Sequence, residues 1–232
     1  MTDLMFHGGG RSLPLVVKRA AVQRMNLRLD ARKGAVRLTL PRSVPLGPAL
    51  RWVEEKREWV EDQMGRLLPS RPIVAGMVVP LGDARLPLDW VESYPRRVIV
   101  AQDSLQVGGP EEALPARLLR WLKAQALLRL TEETHRVAGI AGLTVTSVGV
   151  GDPTSRWGSC ASSGAIRYSW RLILAPDFVL RATVAHEVAH LVHMDHSAAF
   201  HAQVALLFGE DPKPARAWLR ANGQNLHQFG RS

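Results

Sequence analysis

The feature that most constrains this chain is the pattern His186-Glu187-Val188-Ala189-His190. Its residue types favour a helix, and four residues make slightly more than one helical turn, so both histidines project from one face about 6 Å apart. Two imidazoles placed in this way can bind one metal ion. Glu187 follows the first histidine, where its carboxylate can reach a water on that ion without being a ligand. The pattern HExxH is therefore typical of the metal-binding helix of a zinc hydrolase.

A zinc ion that activates water needs a third protein ligand and one open position. His193 lies one turn beyond His190, about 7 Å along the axis past the midpoint of the pair, which is too far for a Zn–N bond of about 2.1 Å. His196 follows Met194-Asp195, which can end the helix, so its ring can turn back towards the metal. His201 lies inside the next predicted helix and is the alternative third ligand.

The composition is that of a globular protein and not of a disordered or fibrous one. The chain has 232 residues, of which 46% are hydrophobic, and it contains no low-complexity tract. No basic flank precedes an apolar segment at the N-terminus, and no uninterrupted apolar run reaches about 18 residues. Cys160 is the only cysteine, which excludes an intrachain disulfide and an all-thiolate zinc site. We therefore expect a cytoplasmic protein with no membrane partner, in which Cys160 is a small packed residue.

The net charge of +9 is concentrated near the N-terminus. Residues 1–42 contain nine lysines and arginines but only two acids. Such an excess over a short segment is what a phosphate-binding surface needs, so residues 11–42 are a candidate contact for nucleic acid or another acidic partner. The alternative is that these side chains form the solvated face of exposed strands.

The first half of the chain is predicted to form a small β-rich domain, residues 1–109, that includes one helix. Alternating apolar and polar residues predict a hairpin of strands 25–30 and 35–40, which turns at residues 31–34. Apolar residues at helical spacing predict a helix over residues 48–68. Further short strands are predicted at residues 15–19, 77–81, 85–91, 97–101 and 105–107.

The second predicted domain, residues 110–232, contains most of the helices, which makes the fold class α+β. An apolar stripe predicts a long helix over residues 111–137. Strands are predicted at residues 143–150 and 165–174. Three further helices are predicted at residues 177–193, 198–208 and 215–221, the last of them stopped by Asn222-Gly223.

Two motifs carry a resemblance to a known family. Residues 186–196 read HEVAHLVHMDH and are followed by Ser197 and Phe200, and Arg156-Trp157-Gly158-Ser159-Cys160 lies upstream. These segments resemble the HExxHxxxxxH motif, ending in H-S-x-x-F, and the R-W-G-S-C signature of the YgjP-type metallopeptidases, relatives of the SprT-like and WLM zinc proteases. Residues 169–174 also resemble the N-W-R-L-I-L segment of that family. The chain departs from the pattern at His201, where the family usually has tryptophan.

The resemblance implies a zinc-dependent peptidase. In it, His186, His190 and His196 bind Zn²⁺ and Glu187 is the catalytic base. The implied fold is a minimal zincin-like domain, in which helices pack on a short antiparallel sheet. The departure at His201 leaves two roles open for that residue, a hydrogen bond to one of the metal ligands or a contact with substrate.

Peptide hydrolysis at such a site uses a zinc-bound water that Glu187 deprotonates as it attacks the carbonyl. Zincins commonly hold the polypeptide substrate along an edge strand, and we expect residues 165–169, which include Ile166 and Tyr168, to be that strand. The preceding loop would bring Arg156 and Trp157 to the cleft as substrate-binding residues. The alternatives are that Arg156 braces the fold through a salt bridge and that Trp157 packs in the core.

Two other functions stay open from the sequence. The first is a metal-dependent hydrolase of a non-peptide substrate such as a nucleotide phosphoanhydride, for which the basic segment would offer anion contacts. Phosphoryl-transfer sites favour carboxylates around Mg²⁺, however, and only Glu187 and Asp195 lie near the histidines. The second is a DNA-associated protease of the SprT-like kind, which would use the basic segment to bind nucleic acid.

Overall fold

The computed structural model describes residues 4–30, 34–65 and 69–231. The chain divides into two compact units, Met1–Pro69 and Ser70–Ser232. The fold is α+β, with a strand-rich N-terminal unit followed by helices with small sheets. Among the described helices, none combines the length and the hydrophobicity needed to cross a bilayer.

The described part of the N-terminal unit contains a mixed four-stranded sheet. Its strands are β1 (Met5–Gly8), β2 (Arg11–Ala20), β3 (Asn26–Asp30) and β4 (Ala35–Pro41), in the order β1-β2-β4-β3. Strands β3 and β4 pair antiparallel, with Leu27 opposite Leu38, as the predicted hairpin requires. The predicted turn at residues 31–34 falls largely outside the described residues. Strand β2 runs parallel to β4 on its other side.

Two short helices pack on this sheet where the sequence predicts one. They are α1 (Leu46–Glu55) and α2 (Arg57–Gly65), and residues 66–68 of the predicted helix lie outside the described residues. The helix breaks at Lys56, whose N–H donates to the carbonyl oxygens of both Trp52 and Val53. Val53 and Val60, on either side of the break, are buried in the same core cluster as the inward residues of β4. The break therefore lets both helices bury an apolar face.

The basic residues of this unit have different environments. Arg19 donates a hydrogen bond of 2.9 Å to the carbonyl oxygen of Arg42, and Arg37 forms an ion pair of 3.0 Å with Asp30. Residues 32–33 lie outside the described residues. The side chains at five further basic positions are exposed: Arg11, Lys18, Arg24, Arg28 and Arg42. Contact between this segment and nucleic acid stays a prediction.

The second unit begins with a small sheet that shares its core with the helices. The strands are β5 (Val78–Leu81), β6 (Ala84–Trp90), β7 (Ile99–Val100) and β8 (Leu105–Val107), in the order β5-β6-β8-β7. Val79, Leu88 and Leu105 are fully buried in one cluster with Leu118 and Leu122 of the following helix. The division at Pro69 thus differs from the boundary predicted after residue 109, because these strands have no core apart from that helix.

The long helix α3 (Leu114–Ile140) leads into a mixed three-stranded sheet. Its strands are β9 (Ser147–Gly151), β10 (Gly158–Cys160) and β11 (Ala165–Ser169), in the order β10-β11-β9. Strand β11 is antiparallel to β10 but parallel to β9, so the sheet is not the purely antiparallel one that the sequence predicts. Strand β11 is also central, which leaves β10 and β9 as the edges.

Three helices complete the unit: α4 (Asp177–Ala189), α5 (Ala198–Phe208) and α6 (Lys213–Gln228). The bounds of α5 are those predicted, whereas α6 continues well beyond the predicted residues 215–221. Gly223 lies inside α6 and does not end it. Its role is to permit a close packing contact. A Cβ at this position would lie 2.8 Å from Cζ2 of Trp157, so only glycine lets the indole ring approach the helix.

Helix α4 is held rigidly by its surroundings. At its start, the Asp83 carboxylate accepts a hydrogen bond of 3.1 Å from the N–H of Asp177, and Asp177 also pairs with Arg129 of α3. Along its length, Val184 and Val188 are fully buried. A helix fixed at its first turn and packed on several sides presents its polar residues in a defined position.

A buried arginine ties the sheet to the end of α6. Arg171 follows β11 in a 3-10 segment, Trp170–Leu174, which replaces the second half of the predicted strand. Its guanidinium pairs with Asp152 at 2.8 Å and donates to the carbonyl oxygens of Leu226 and Phe229. These contacts satisfy the buried charge and hold α6 in place across the sheet.

Candidate metal centre and active site

Three histidines converge at the end of α4. Nε2 of His186 lies 3.3 Å from Nε2 of His196, and one ligand nitrogen from each of His186, His190 and His196 lies within 4.8 Å of the others. Two nitrogens bound to one tetrahedral zinc at about 2.1 Å are separated by about 3.4 Å. The cluster therefore fits a single metal ion with little movement of the side chains.

The third histidine reaches this position because the chain turns sharply after α4. The helix ends at Ala189, four residues before the predicted end, and His190 is its C-cap. The Asp195 carboxylate accepts a hydrogen bond from the N–H of Ser197, and the Ser197 hydroxyl caps α5 by accepting from the N–H of Phe200. These two short-range contacts shape the loop that returns His196 to the helix.

Two of the three imidazoles are held in the form that binds metal. Nδ1 of His190 lies 2.9 Å from the carbonyl oxygen of His193, which can only accept, so Nδ1 carries the proton and Nε2 is left with its lone pair. The pKa of His186 is lowered to about 4, first by burial and then by the neighbouring imidazoles of His190 and His196. His186 is thus neutral, as a ligand must be, at any pH near 7.

Phe200 forms the apolar floor of the cluster. Its side chain is fully buried, and its ring centroid lies 4.9, 4.5 and 4.7 Å from the rings of His186, His190 and His196. Packing against all three rings restricts their rotation. His201, the next residue, is exposed, with its ring 6.4 Å from that of His196. Among the described residues it makes no hydrogen bond to the cluster, and it faces a neighbouring cavity instead.

The carboxylate of Glu187 lies beside the cluster in a buried position. The residue is only 5% exposed. Burial raises the pKa of Glu187 to about 7, and the positive charge of Arg156 acts in the opposite direction. A carboxyl group that gains and loses a proton near neutral pH is suited to general acid–base catalysis.

A cavity of about 240 Å³ opens next to Glu187 and His186. Arg156 and Trp157 both line it, which places the two residues of the predicted loop at the site. Among the described residues Arg156 makes no salt bridge. The alternative prediction, that Arg156 braces the fold through such a bridge, therefore finds no support there. Trp157 is half-buried and stacks on His227 with ring centroids 4.9 Å apart. The cavity is completed by residues of α4, α5 and α6: Ala182, Thr183, His201, Val204, Pro212, Ala215, Arg216 and Leu219.

Comparison with known proteins gives a family. The model of the family "YgjP-like, metallopeptidase domain" matches residues 24–222, most of the chain. The chain belongs to the YgjP-like metallopeptidases. A metal-dependent peptidase is thus the activity that the family supports, and the histidine cluster is where its metal could bind.

Two further comparisons accompany this family assignment. Among curated proteins, no significant match is found. Among solved structures, the chain is similar to the metallopeptidase zymogen of Pyrococcus abyssi abylysin, with 19% identity and a TM-score of 0.36 over 39% of this chain and 93% of the other.

Two residues predicted to bind substrate are placed elsewhere in this YgjP-like metallopeptidase. Ile166 and Tyr168 are 0% and 1% exposed, and the Tyr168 hydroxyl is hydrogen-bonded to that of Thr134 at 3.0 Å. Burial also raises the pKa of Tyr168 well above its usual range. Strand β11 is therefore part of the core, and the edge strand beside α4 is β10.

Gly158, at the start of β10, is a site residue whose role the sequence does not reveal. A Cβ at this position would lie within 2.6 Å of Cδ of Glu187, much closer than real Cβ contacts. The backbone of β10 and the carboxylate therefore touch, and only glycine permits this contact. Gly158 belongs to the Arg156–Cys160 motif, but the contact of Gly158 with Glu187 joins residues that are far apart in the sequence.

We expect Gly158→Ala to lower the kcat of peptide hydrolysis by about ten- to a hundredfold, because the displaced carboxylate no longer points at the reacting atoms. Metal content, measured by atomic emission, should stay that of the wild type because the histidines are untouched. Gly149→Ala on β9 is the matched control, since its Cβ would meet only Arg167 at an ordinary 3.9 Å. Equal kcat values for the two variants would contradict a positioning role for Gly158.

Proposed function

We propose that this YgjP-like metallopeptidase hydrolyses peptide bonds with a zinc ion bound by His186, His190 and His196 and with Glu187 as general base and acid. The convergence of three imidazoles beside a buried carboxylate carries the proposal, with two of the ligand nitrogens 3.3 Å apart. The match to a metallopeptidase family agrees with it.

The donor set favours zinc. Three neutral imidazole nitrogens suit zinc, whereas magnesium and calcium prefer carboxylate and carbonyl oxygens. When bound, zinc would supply a Lewis acid that polarises the substrate carbonyl and makes water more acidic. Glu187 is a buried acid beside the cluster, and its place one position after His186 suits a proton carrier better than a ligand.

Glu187 would accept a proton from the attacking water and deliver it to the leaving amine. Its pKa of about 7 makes both transfers accessible at neutral pH. The extended substrate would pair through its backbone with the edge strand β10, which packs beside α4. Gly158 would then act in two ways, since it begins the strand and leaves room for the carboxylate.

The proposal is tested with purified protein and a proteome-derived peptide library. We expect about one equivalent of zinc per chain, peptide cleavage by the loaded protein, loss of cleavage with a chelator and recovery when zinc is returned. Nucleoside triphosphates are assayed in parallel. Hydrolysis of a phosphoanhydride without cleavage of any peptide would contradict the proposal and favour the alternative substrate. The cytoplasmic location and the DNA-associated role stay predictions.

A further inference from the structure

The cavity beside the candidate metal centre has an unusual distribution of charge. Its walls are mainly apolar, formed by Trp157, Val204 and Leu219 among others. Two arginines, Arg156 and Arg216, line the same space, and the side chains of both are exposed. They come from distant parts of the chain, one from the loop before β10 and the other from the first turn of α6.

In the described part of the chain, no acid forms an ion pair with either arginine, although Glu187 lies close enough to Arg156 for their charges to interact. Within residues 69–231, neither side chain has a hydrogen-bond or ion-pair partner, and Glu187 is the one acid that lines the cavity. The nearest acids along the chain before α6 are engaged elsewhere. Glu210 lies 3.5 Å from Arg181, and Asp211 accepts a hydrogen bond of 3.0 Å from the N–H of Lys213.

We propose that this cavity binds a carboxylate of the peptide substrate next to the scissile bond, with Arg156 and Arg216 as its anchors. The proposal rests on the proposed peptidase function and specifies its substrate class. Arginine is always charged near neutral pH, and its planar fork matches a carboxylate better than other basic groups do. His201 lines the same cavity and can add an N–H donor.

The apolar walls narrow the choice of ligand. A suitable ligand carries an aliphatic segment beside its carboxylate, because apolar residues such as Val204 and Leu219 line the same space as the two arginines. A glutamate or aspartate side chain meets this condition, and so does a residue that ends the peptide with its α-carboxylate. Both sources offer the same chemistry, and the cavity volume of about 240 Å³ accommodates one residue rather than several.

The wall that carries Arg156 is well supported. The neighbouring Trp157 ring stacks on His227 with an interplanar angle of 22° and approaches α6 closely at Gly223. Helix α6 in turn carries Arg216 and is held by the contacts of Arg171 with its C-terminal end. The two arginines are thus mounted on elements that are fixed to each other, which favours recognition of one compact anion.

The proposal is tested with matched peptides that differ only at one residue beside the cleaved bond. In one pair of peptides, the residue beside the cleaved bond is glutamate or glutamine inside the peptide. In the second pair, the peptide ends at that residue, with its C-terminus as a free carboxylate or as an amide. We expect at least one pair to show a kcat/KM about tenfold or more higher for the charged member, as charge-assisted hydrogen bonds imply. The pair that responds identifies the source of the carboxylate.

Variants then assign the preference to the arginines. We expect the ratio of charged to neutral peptide to fall to about one in the double variant Arg156→Gln/Arg216→Gln, and Arg216→Glu should favour a lysine peptide instead. Arg220→Gln is the matched control, because Arg220 is exposed on the same helix and does not line the cavity. An unchanged ratio in the double variant would overturn the proposal. Circular dichroism checks that each variant is folded.

A binding measurement separates this proposal from the peptidase function itself. Titration calorimetry of the same peptides with the zinc-loaded Glu187→Gln protein reports carboxylate recognition without turnover. Tighter binding of the charged peptide, lost in Arg216→Gln, supports the cavity even if no library peptide is cleaved by the wild type. Cleavage with no difference between charged and neutral peptides, in rate or in binding, would overturn the cavity assignment and leave the peptidase function intact.

Discussion

Replacing Glu187 with glutamine is expected to lower kcat by about a thousandfold, within the range that acid–base catalysis by one side chain contributes. Glutamine has nearly the same shape as glutamate but cannot accept a proton from water. The side chain is buried against Gly158, so the amide would occupy the same space without opening a path for solvent. The measurement is the rate of cleavage of one library peptide by protein of known zinc content.

The zinc content is the internal control for this variant. Because Glu187 is not one of the three converging nitrogen ligands, Glu187→Gln should bind as much metal as the wild type. Loss of activity with full metal content would assign Glu187 to proton transfer. Full activity in the glutamine protein would show that another group performs this step, and loss of metal would show that Glu187 is a ligand.

Replacing His196 with alanine is expected to weaken metal binding by more than about a hundredfold and to abolish hydrolysis. Loss of a residue that only hydrogen-bonds to a metal ligand costs roughly ten- to a hundredfold in metal affinity. Loss of a direct ligand should therefore cost more. His196 is the informative choice among the three, because it reaches the cluster through a loop and not from α4. Its Nε2 lies 3.3 Å from that of His186.

His193→Ala provides a closely matched control for this experiment. Like the His196 variant, it removes an imidazole, from a position three residues before His196. The contact that His193 makes with His190 uses the backbone carbonyl of His193, which alanine retains. We expect its zinc affinity, measured by competition with a chromophoric chelator, to stay close to that of the wild type. Equal loss of zinc in both variants would mean that general loop damage, and not a missing ligand, explains the His196 result.

Local sequence patterns were sufficient to predict much of the fold that surrounds the site. The hairpin of β3 and β4 and the bounds of helix α5 depend on residues within a few positions of each other. The HExxH spacing similarly places His186 and His190 on one helical face. The turn that brings His196 back depends on Asp195 and Ser197, which flank it in the chain.

Features that depend on distant contacts could not be predicted in this way. The pairing of β11 with two neighbours buries Ile166 and Tyr168, and no periodicity within the strand distinguishes a central strand from an edge. Gly223 has the appearance of a helix stop, but it serves the approach of Trp157. Arg216 belongs to no motif, and only the packing of α6 brings it to the cavity.

Anomalous diffraction at the zinc edge, from crystals of the zinc-loaded protein, tests the central claim most directly. We predict one strong peak with Nε2 of His190 and a nitrogen of each of His186 and His196 at about 2.1 Å, and with the Glu187 carboxylate outside bonding distance. A peak at another place, or a peak here from which the His196 ring is turned away, would contradict the proposed metal site.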